Sequence, residues 1–274
     1  MWIYILIFVA LLILLYLLAI MPKLSGRHDL RPWQGKYYAH RGLHQDPDII
    51  PENSMAAFKL AVKHNYGIEM DIQLTKDNIP VVFHDYTLKR VCGVNRKVKD
   101  LTFKELQELR LHDSEEKIPS FQSVLDMVQG RVPLIIEFKV ELHDISVCNV
   151  TAPMLKNYKG LYCIESFNPL VLLWYKRHNP KIMRGQLASN LIKDKEVGSF
   201  SMYFVLQNLL LNFITKPDFI SYNFAHRNML SFTLCRKLYR TPTFAWTIKS
   251  QENLEDSKHY FDFFIFDQFI PKQQ

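Results

Sequence analysis

Between His40 and Asp85 the chain gathers reactive side chains at a spacing that stability alone does not require. The run reads His40-Arg41-Gly42, Pro51-Glu52-Asn53-Ser54, Glu69-x-Asp71 and His84-Asp85, and Glu137-x-Lys139 follows at the end of a later apolar stretch. In a strand, side chains at i and i+2 share a face, so Glu69 points with Asp71 and Glu137 with Lys139. Carboxylates converging on one point repel unless they are protonated or share a cation, and an all-oxygen set selects Mg²⁺ or Ca²⁺. Two histidines flanking that point can divide the proton work between a base and an acid. Arg41 carries the planar fork that grips phosphate oxygens. These residue types suit metal-assisted cleavage of a phosphodiester. A blander account pairs Glu69 and Asp71 with Arg41 and Lys139 as internal ion pairs and leaves each histidine bonded to a carbonyl. The remaining histidines, His44 among them, have no comparable neighbours in sequence and read as structural or solvated.

Such a constellation needs a scaffold that brings strand ends together. Strand-like runs at 36–40, 68–74, 81–84, 134–139, 162–166, 183–187, 219–223, 243–247 and 263–267 alternate with helical segments, which argues for a parallel α/β fold. That is one strand too many for an eightfold barrel. Residues 75–80 are too few for a parallel crossover, which needs about a dozen. So 81–84 returns as the antiparallel arm of a hairpin turning at Lys76-Asp77-Asn78, and eight parallel strands remain. The expected fold is a (β/α)8 TIM barrel over 36–274, with a small hairpin inserted after strand 2 and the active residues at the C-terminal strand ends. Helices are expected over 54–65, capped by Asn53 or Ser54, and over 102–109, opened by a Thr102/Glu105 capping box. Others are expected over 120–129, 168–178, 228–239 and 251–260.

Residues 2–21 form an uncharged apolar stretch, long enough to span a bilayer as a helix. A cleaved signal peptide would want a basic start and a small-x-small cleavage site, and Leu18-Ala19-Ile20-Met21-Pro22 offers neither. The expectation is an uncleaved single-pass anchor over 1–22 and a basic juxtamembrane linker over 23–35. With Lys23, Arg27 and Arg31 following the stretch, the barrel falls on the cytoplasmic side. Residues 199–214 are a second uncharged apolar segment, read either as a helix buried under a loop or as a surface resting on the membrane. The net charge of +7 shows no basic cluster with interleaved aromatics, so nucleic acid is not an expected partner. Cys92, Cys148, Cys163 and Cys235 form no CxxC pair and read as reduced structural residues.

The motifs together resemble the glycerophosphodiester phosphodiesterase family. The matching pieces are AHRG at 39–42, PENSMAAF at 51–58, GIEMDIQLTKD at 67–77, VVFHDYTLKR at 81–90, IPSFQSVLDM at 118–127 and IIEFK at 135–139, with weaker matches in ESF at 165–167 and FAWT at 244–247. The resemblance implies a barrel hydrolase that splits glycerol 3-phosphate from a glycerophosphodiester. It implies one divalent cation, Mg²⁺ or Ca²⁺, held by Glu69, Asp71 and Glu137. His40 and His84 would be the acid/base pair, Arg41 and Lys139 would sit at the phosphate, and Phe167 and Trp246 would line the glycerol or leaving-group side. Two departures stand out. Eight residues separate HRG from PENS, and the usual Thr-Asp near the C-terminus is Phe266-Asp267. The same mechanism acting on a phospholipid or lysophospholipid is the rival activity, favoured by the apolar segments. A catalytically silent membrane-bound module is a third reading, against which every expected catalytic position is filled.

Overall fold

The computed structural model describes residues 1–141, 143–194 and 199–272. Among these, the strands are β1 (Tyr37–Ala39), β2 (Gly67–Leu74), β3 (Pro80–Val82), β4 (Leu134–Phe138), β5 (Tyr162–Ser166), β6 (Arg184–Ala188), β7 (Phe219–Asn223), β8 (Thr243–Ile248) and β9 (Phe263–Phe266). β1 pairs in parallel with both β2 and β9, which closes an eight-stranded parallel barrel. β3 lies antiparallel on β2, with Ile72 opposite Val82 and Leu74 opposite Pro80. The fold is the expected TIM barrel with its hairpin, preceded by one apolar N-terminal helix.

The helices are α1 (Trp2–Ala19), α2 (Met55–Lys63), α3 (Lys89–Cys92), α4 (Phe103–Leu106), α5 (Phe121–Val128), α6 (Ser146–Asn157), α7 (Pro169–His178), α8 (Phe200–Gln207), α9 (Asn212–Thr215), α10 (Leu230–Lys237) and α11 (Gln251–Ser257). The caps obey local chemistry: Ser54 Oγ accepts from Ala57 N, and Thr102 and Glu105 form the capping box. The segment at 102–109 winds only one turn, as α4. α6 has no clear sequence signal, because it contains Pro153 and several residues of poor helix propensity. Packing carries it, through buried Val147, Cys148, Thr151 and Leu155.

Alternation along β2 divides its side chains. Ile68, Met70 and Ile72 join the outer core beneath the helices, leaving Glu69, Asp71 and Gln73 for the interior. The floor of the barrel is apolar: Tyr38, Ile135, Cys163, Met183, Phe219 and Phe244 pack under Trp33. Trp33 belongs to a single 3-10 turn, and its carbonyl accepts from the Tyr38 hydroxyl at 3.0 Å.

α1 is long and apolar enough to cross a membrane, and none of its residues is buried. The segment after α1 is not a free tether. The Ile20 carbonyl accepts from Asn212 Nδ2 at 3.1 Å, Lys23 pairs with Asp218 at 2.7 Å, and Arg27 donates to the Tyr239 and Arg240 carbonyls. The 199–214 segment breaks into α8 and α9 at Leu209, whose φ is 57°. Leu209 is buried, while Phe200, Met202 and Phe204 are exposed, so the segment is neither wholly core nor wholly surface.

Candidate active site

The carboxylates predicted to converge do so. Ligand oxygens of Glu69, Asp71 and Glu137 all lie within 4.8 Å of one another, and all three residues are buried. The sheet register explains it, since β2 and β4 place Asp71 beside Glu137. Lys139, just past β4, sits 2.7 Å from Glu137 Oε1 and 3.2 Å from Asp71 Oδ1. Arg41 Nε stands 3.5 Å from Asp71 Oδ2. The ion pairs of the blander account are therefore present, yet Asp71 Oδ1 and Arg41 Nε still lack a hydrogen bond.

Backbone geometry at the first turn is costly and supported. Arg41 has φ 56° and Asn53 φ 54°, a region that bulky side chains rarely occupy. Arg41 N donates to Glu69 Oε2 at 3.0 Å, and Asn53 N donates to the Arg41 carbonyl at 2.9 Å. Asn53 Nδ2 donates to Asp71 Oδ2 at 2.9 Å. Gly42 is required here: its φ is 82°, and a Cβ would meet Ala57 and Phe58 at 2.9 Å.

Each predicted histidine is backed by an aspartate. His84 Nδ1 lies 2.6 Å from Asp85 Oδ1. Asp85 is gripped by Arg90, which also binds Glu52, and Glu52 accepts from Arg41 Nη1 at 2.8 Å. Gln73 Nε2 donates to the carbonyls of Phe83, His84 and Asp85, pinning that loop. His40 Nδ1 lies 3.4 Å from Asp267 Oδ2, and its Nε2 is 4.0 Å from Glu69 Oε2. His44 Nε2 meets the other oxygen of Asp267 at 2.7 Å. His44, read from the sequence as structural or solvated, has this partner because closure of β9 on β1 brings Asp267 to it. The roles of Gln73, Glu52 and Asn53 were missed as well. Gln73 continues the i, i+2 series after Asp71, and Glu52 and Asn53 lie in the PENS run, so signals for them existed.

Burial and neighbours sort the charges. Burial and the adjacent Asp71, Glu137 and Glu165 raise Glu69 well above the usual carboxylate range. Burial lifts Glu137 to about 7 against the pull of Lys139. Burial pushes Asp71 the same way, but Lys139, His84 and Arg41 outweigh it and hold it well below the ordinary range. His40 is brought down to about 4, first by burial and then by Arg41, against the pull of Asp267. His84 is lowered by burial and Lys139. Glu165, opposite Glu137 across β4 and β5, was not anticipated. Burial and Glu137 lift it to about 8, and its Oε2 has no hydrogen-bond partner.

Phe167 and Trp246 meet edge to face, with ring centroids 5.7 Å apart, after β5 and within β8. Gln186 Nε2 donates to the Phe167 carbonyl at 3.2 Å. In the closed barrel β5 and β8 flank β6 and β7, which lie across from β1 and β2, while the carboxylates stand on β2 and β4.

Known proteins share this arrangement of strands and motifs. The model of the glycerophosphoryl diester phosphodiesterase family matches residues 40–260. A glycerophosphodiester phosphodiesterase of Caldanaerobacter subterraneus subsp. tengcongensis is 31% identical over 161 residues, covering 54% of this chain and 65% of the relative. Glycerophosphodiester phosphodiesterase 1 of Homo sapiens is 34% identical over 147 residues, covering 49% of this chain and 43% of the relative. The matches thus span less than two thirds of these curated relatives. An Oleispira antarctica phosphodiesterase, solved with its product sn-glycerol 3-phosphate, superposes with a TM-score of 0.69 at 22% identity, covering 86% of this chain and 93% of that one. The family model covers most of the sequence and begins at His40, and the chain belongs to the glycerophosphoryl diester phosphodiesterase family.

Proposed function

We propose that this protein is a metal-dependent phosphodiesterase that hydrolyses a glycerophosphodiester to glycerol 3-phosphate and an alcohol, and that α1 anchors it in a membrane. One observation carries the catalytic reading. A buried three-carboxylate cluster lies beside two histidines, one of them within 4.0 Å of a cluster oxygen and each steadied through Nδ1 by an aspartate.

The cluster fits a hard divalent cation, Mg²⁺ or Ca²⁺. Its donors are all oxygens, Asp71 Oδ1 has no hydrogen bond, and Glu69 is raised by burial and by its acidic neighbours, a cost that a cation would offset. Bound by Glu69, Asp71 and Glu137, the cation would neutralise the phosphate and stabilise the charge that develops on it. Arg41 and Lys139 would orient the phosphate oxygens. With Nδ1 turned to an aspartate, His40 and His84 each offer Nε2 to the substrate: the neutral ring would take a proton from the attacking oxygen, and the other, as an imidazolium steadied by its aspartate, would give one to the leaving oxygen. Phe167 and Trp246 would pack against the glycerol or the leaving group. In this reading residues 1–22 are the anchor, 23–35 the basic juxtamembrane linker and 36–274 the barrel. Lys23, Arg27 and Arg31 support a cytoplasmic barrel.

A second reading keeps the chemistry and moves it to a lipid or lysolipid phosphodiester. The exposed Phe200 and Phe204 on α8, together with the apolar α1, favour it. Turnover of glycerophosphocholine, lysophosphatidylcholine and phosphatidylglycerol micelles, each with Mg²⁺, Ca²⁺ or chelator, tests both. Hydrolysis of any of them, abolished by chelator, supports the proposal. No turnover with either metal defeats it.

A further inference from the structure

We infer that the mouth of the barrel faces the bilayer, and that α8 and the start of α10 form a lipid-docking rim beside the active site. The inference rests on the reading of α1 as a membrane span. It starts from the direction in which the chain leaves α1. The barrel helices return from the mouth to the floor, so α10 begins at the mouth and ends at the floor. Tyr16 sits beside Ser231 in the first turn of α10. The Ile20 carbonyl takes Asn212 Nδ2 at 3.1 Å and Cys235 Sγ at 3.4 Å, further down. Lys23 N donates to the Pro217 carbonyl at 3.1 Å, just ahead of β7, and Arg27 reaches the Tyr239 and Arg240 carbonyls just ahead of β8. The chain therefore runs from mouth to floor along α10. The part of α1 that precedes Tyr16 projects beyond the mouth, at the end of the barrel that holds the carboxylates.

Length then limits how far the rim can stand from lipid. α1 has 18 residues, about 27 Å at 1.5 Å per residue, against a hydrocarbon core of roughly 30 Å. Tyr16 and Leu17 already pack on the barrel core. The apolar helix thus runs without a linker into the barrel at Tyr16, which sets the rim beside it at the headgroup region. The side chains there suit that position. Two points on the β6–β7 connection, one on each side of α8, sit at mouth level: Asp194 bonds His226, which lies just after β7, and the Gln207 carbonyl accepts from Tyr222 and Ser231. Between them α8 exposes Phe200 (69%), Met202 (45%) and Phe204 (48%), and Leu230 (62%) opens α10. No charge interrupts residues 199–215. Lipid is the one occupant continuous with α1, so the phosphodiester reaches the mouth from the interface.

The test reconstitutes the full chain into phosphatidylcholine–phosphatidylglycerol vesicles containing a diazirine-bearing phosphatidylcholine, and maps photo-adducts by mass spectrometry. Adducts on α1 and on Phe200, Met202, Phe204 or Leu230, with none at floor residues such as Arg131 and Lys181, are expected. Adducts on α1 without any on α8 or α10 overturn the inference. None on α1 overturns the anchor reading beneath it. Kinetics give a second measurement. The Phe200→Asp/Phe204→Asp double variant should lose at least about 10-fold in kcat/KM on vesicle-embedded lysophosphatidylglycerol and less than twofold on soluble glycerophosphoglycerol. Equal losses, or none on either, overturn the docking rim. If the wild type cleaves neither substrate, the proposed activity fails, and the photo-adducts still decide the orientation.

Discussion

The two sides of the barrel mouth are made of different materials. From β1 to β4 it is an ionic lattice: Glu69, Asp71, Glu137, Arg41 and Lys139, with His40 and His84 held at its edges. From β5 to β8 it presents Phe167, Trp246 and the amide of Gln186, and beyond them the exposed apolar face of α8. A phosphodiester has the same division, a charged phosphate at the centre and less polar groups on either side. On the proposed function, bond cleavage would belong to the first side and choice of substrate to the second. Substitutions on the two sides should therefore fail in different ways.

The largest effect is expected at the carboxylates. Glu69→Ala, Asp71→Ala and Glu137→Ala should each lower kcat by about 10³-fold or more, because several kcal/mol of charge stabilisation depend on the cluster. Glu69→Gln should leave Tm in chelator unchanged or raised, since it relieves repulsion with Asp71 and Glu137. Near wild-type rates in these variants would reduce the lattice to structural ion pairs.

The histidines come next. His40→Ala and His84→Ala should each cost roughly 10²–10⁴-fold, the usual scale for a general acid or base. A normal kcat/KM for His84→Ala would leave His40 as the working histidine of the pair. Asp267→Asn tests the positioning role inferred for the β9 end. A loss of about 10–100-fold in kcat with little change in KM is expected, together with a further fall in the His40 pKa, because Asp267 now holds it up. An unchanged pH profile would argue against that role.

On the aromatic side, Phe167→Ala or Trp246→Ala should raise KM by about 10-fold, the scale of one lost apolar contact, and leave kcat nearly intact. A fall in kcat as large as that of the histidine variants would erase the division between the two sides. The smallest effect concerns stability at the edge of the lattice. Burial would raise Glu52, but Arg90 and Arg41 outweigh it and lower it from 4.5 to about 2. A depressed carboxylate stabilises fully above its unfolded pKa and loses that contribution as pH falls through the folded one. Glu52→Gln should therefore lower Tm at pH 7 and flatten its decline between pH 4.5 and 2, as read by calorimetry.

Much of the first side could be read in the chain itself. Alternation along β2 aligned Glu69 with Asp71, and six residues between the second and third strands forced a hairpin rather than a crossover. The His84–Asp85 pair is adjacent in sequence, so its contact is local. The other pair is not. His40 and Asp267 stand 227 positions apart and meet because β1 closes on β9. His44 offered no local hint for the same reason, and Glu165 looked like any residue of an apolar strand until β5 paired with β4. α6, with its proline and weak formers, exists through packing rather than propensity.

The apolar segments show the same boundary from the other direction. Composition alone marked residues 2–21 and 199–214 as unusual, because an uncharged run needs no partner to be recognised. Which faces of the second run are buried was decided by the turn at Leu209 and by the contacts of Gln207 with Tyr222 and Ser231. The end of the barrel from which α1 departs was decided by the docking of residues 20–27 along α10. Periodicity and short spacings are properties of neighbouring residues, so the strands, the hairpin and the carboxylate face were legible in the chain. Closure and docking join residues hundreds of positions apart through packing, so the partner behind His40 and the course of residues 20–27 along α10 emerge only once the barrel is closed.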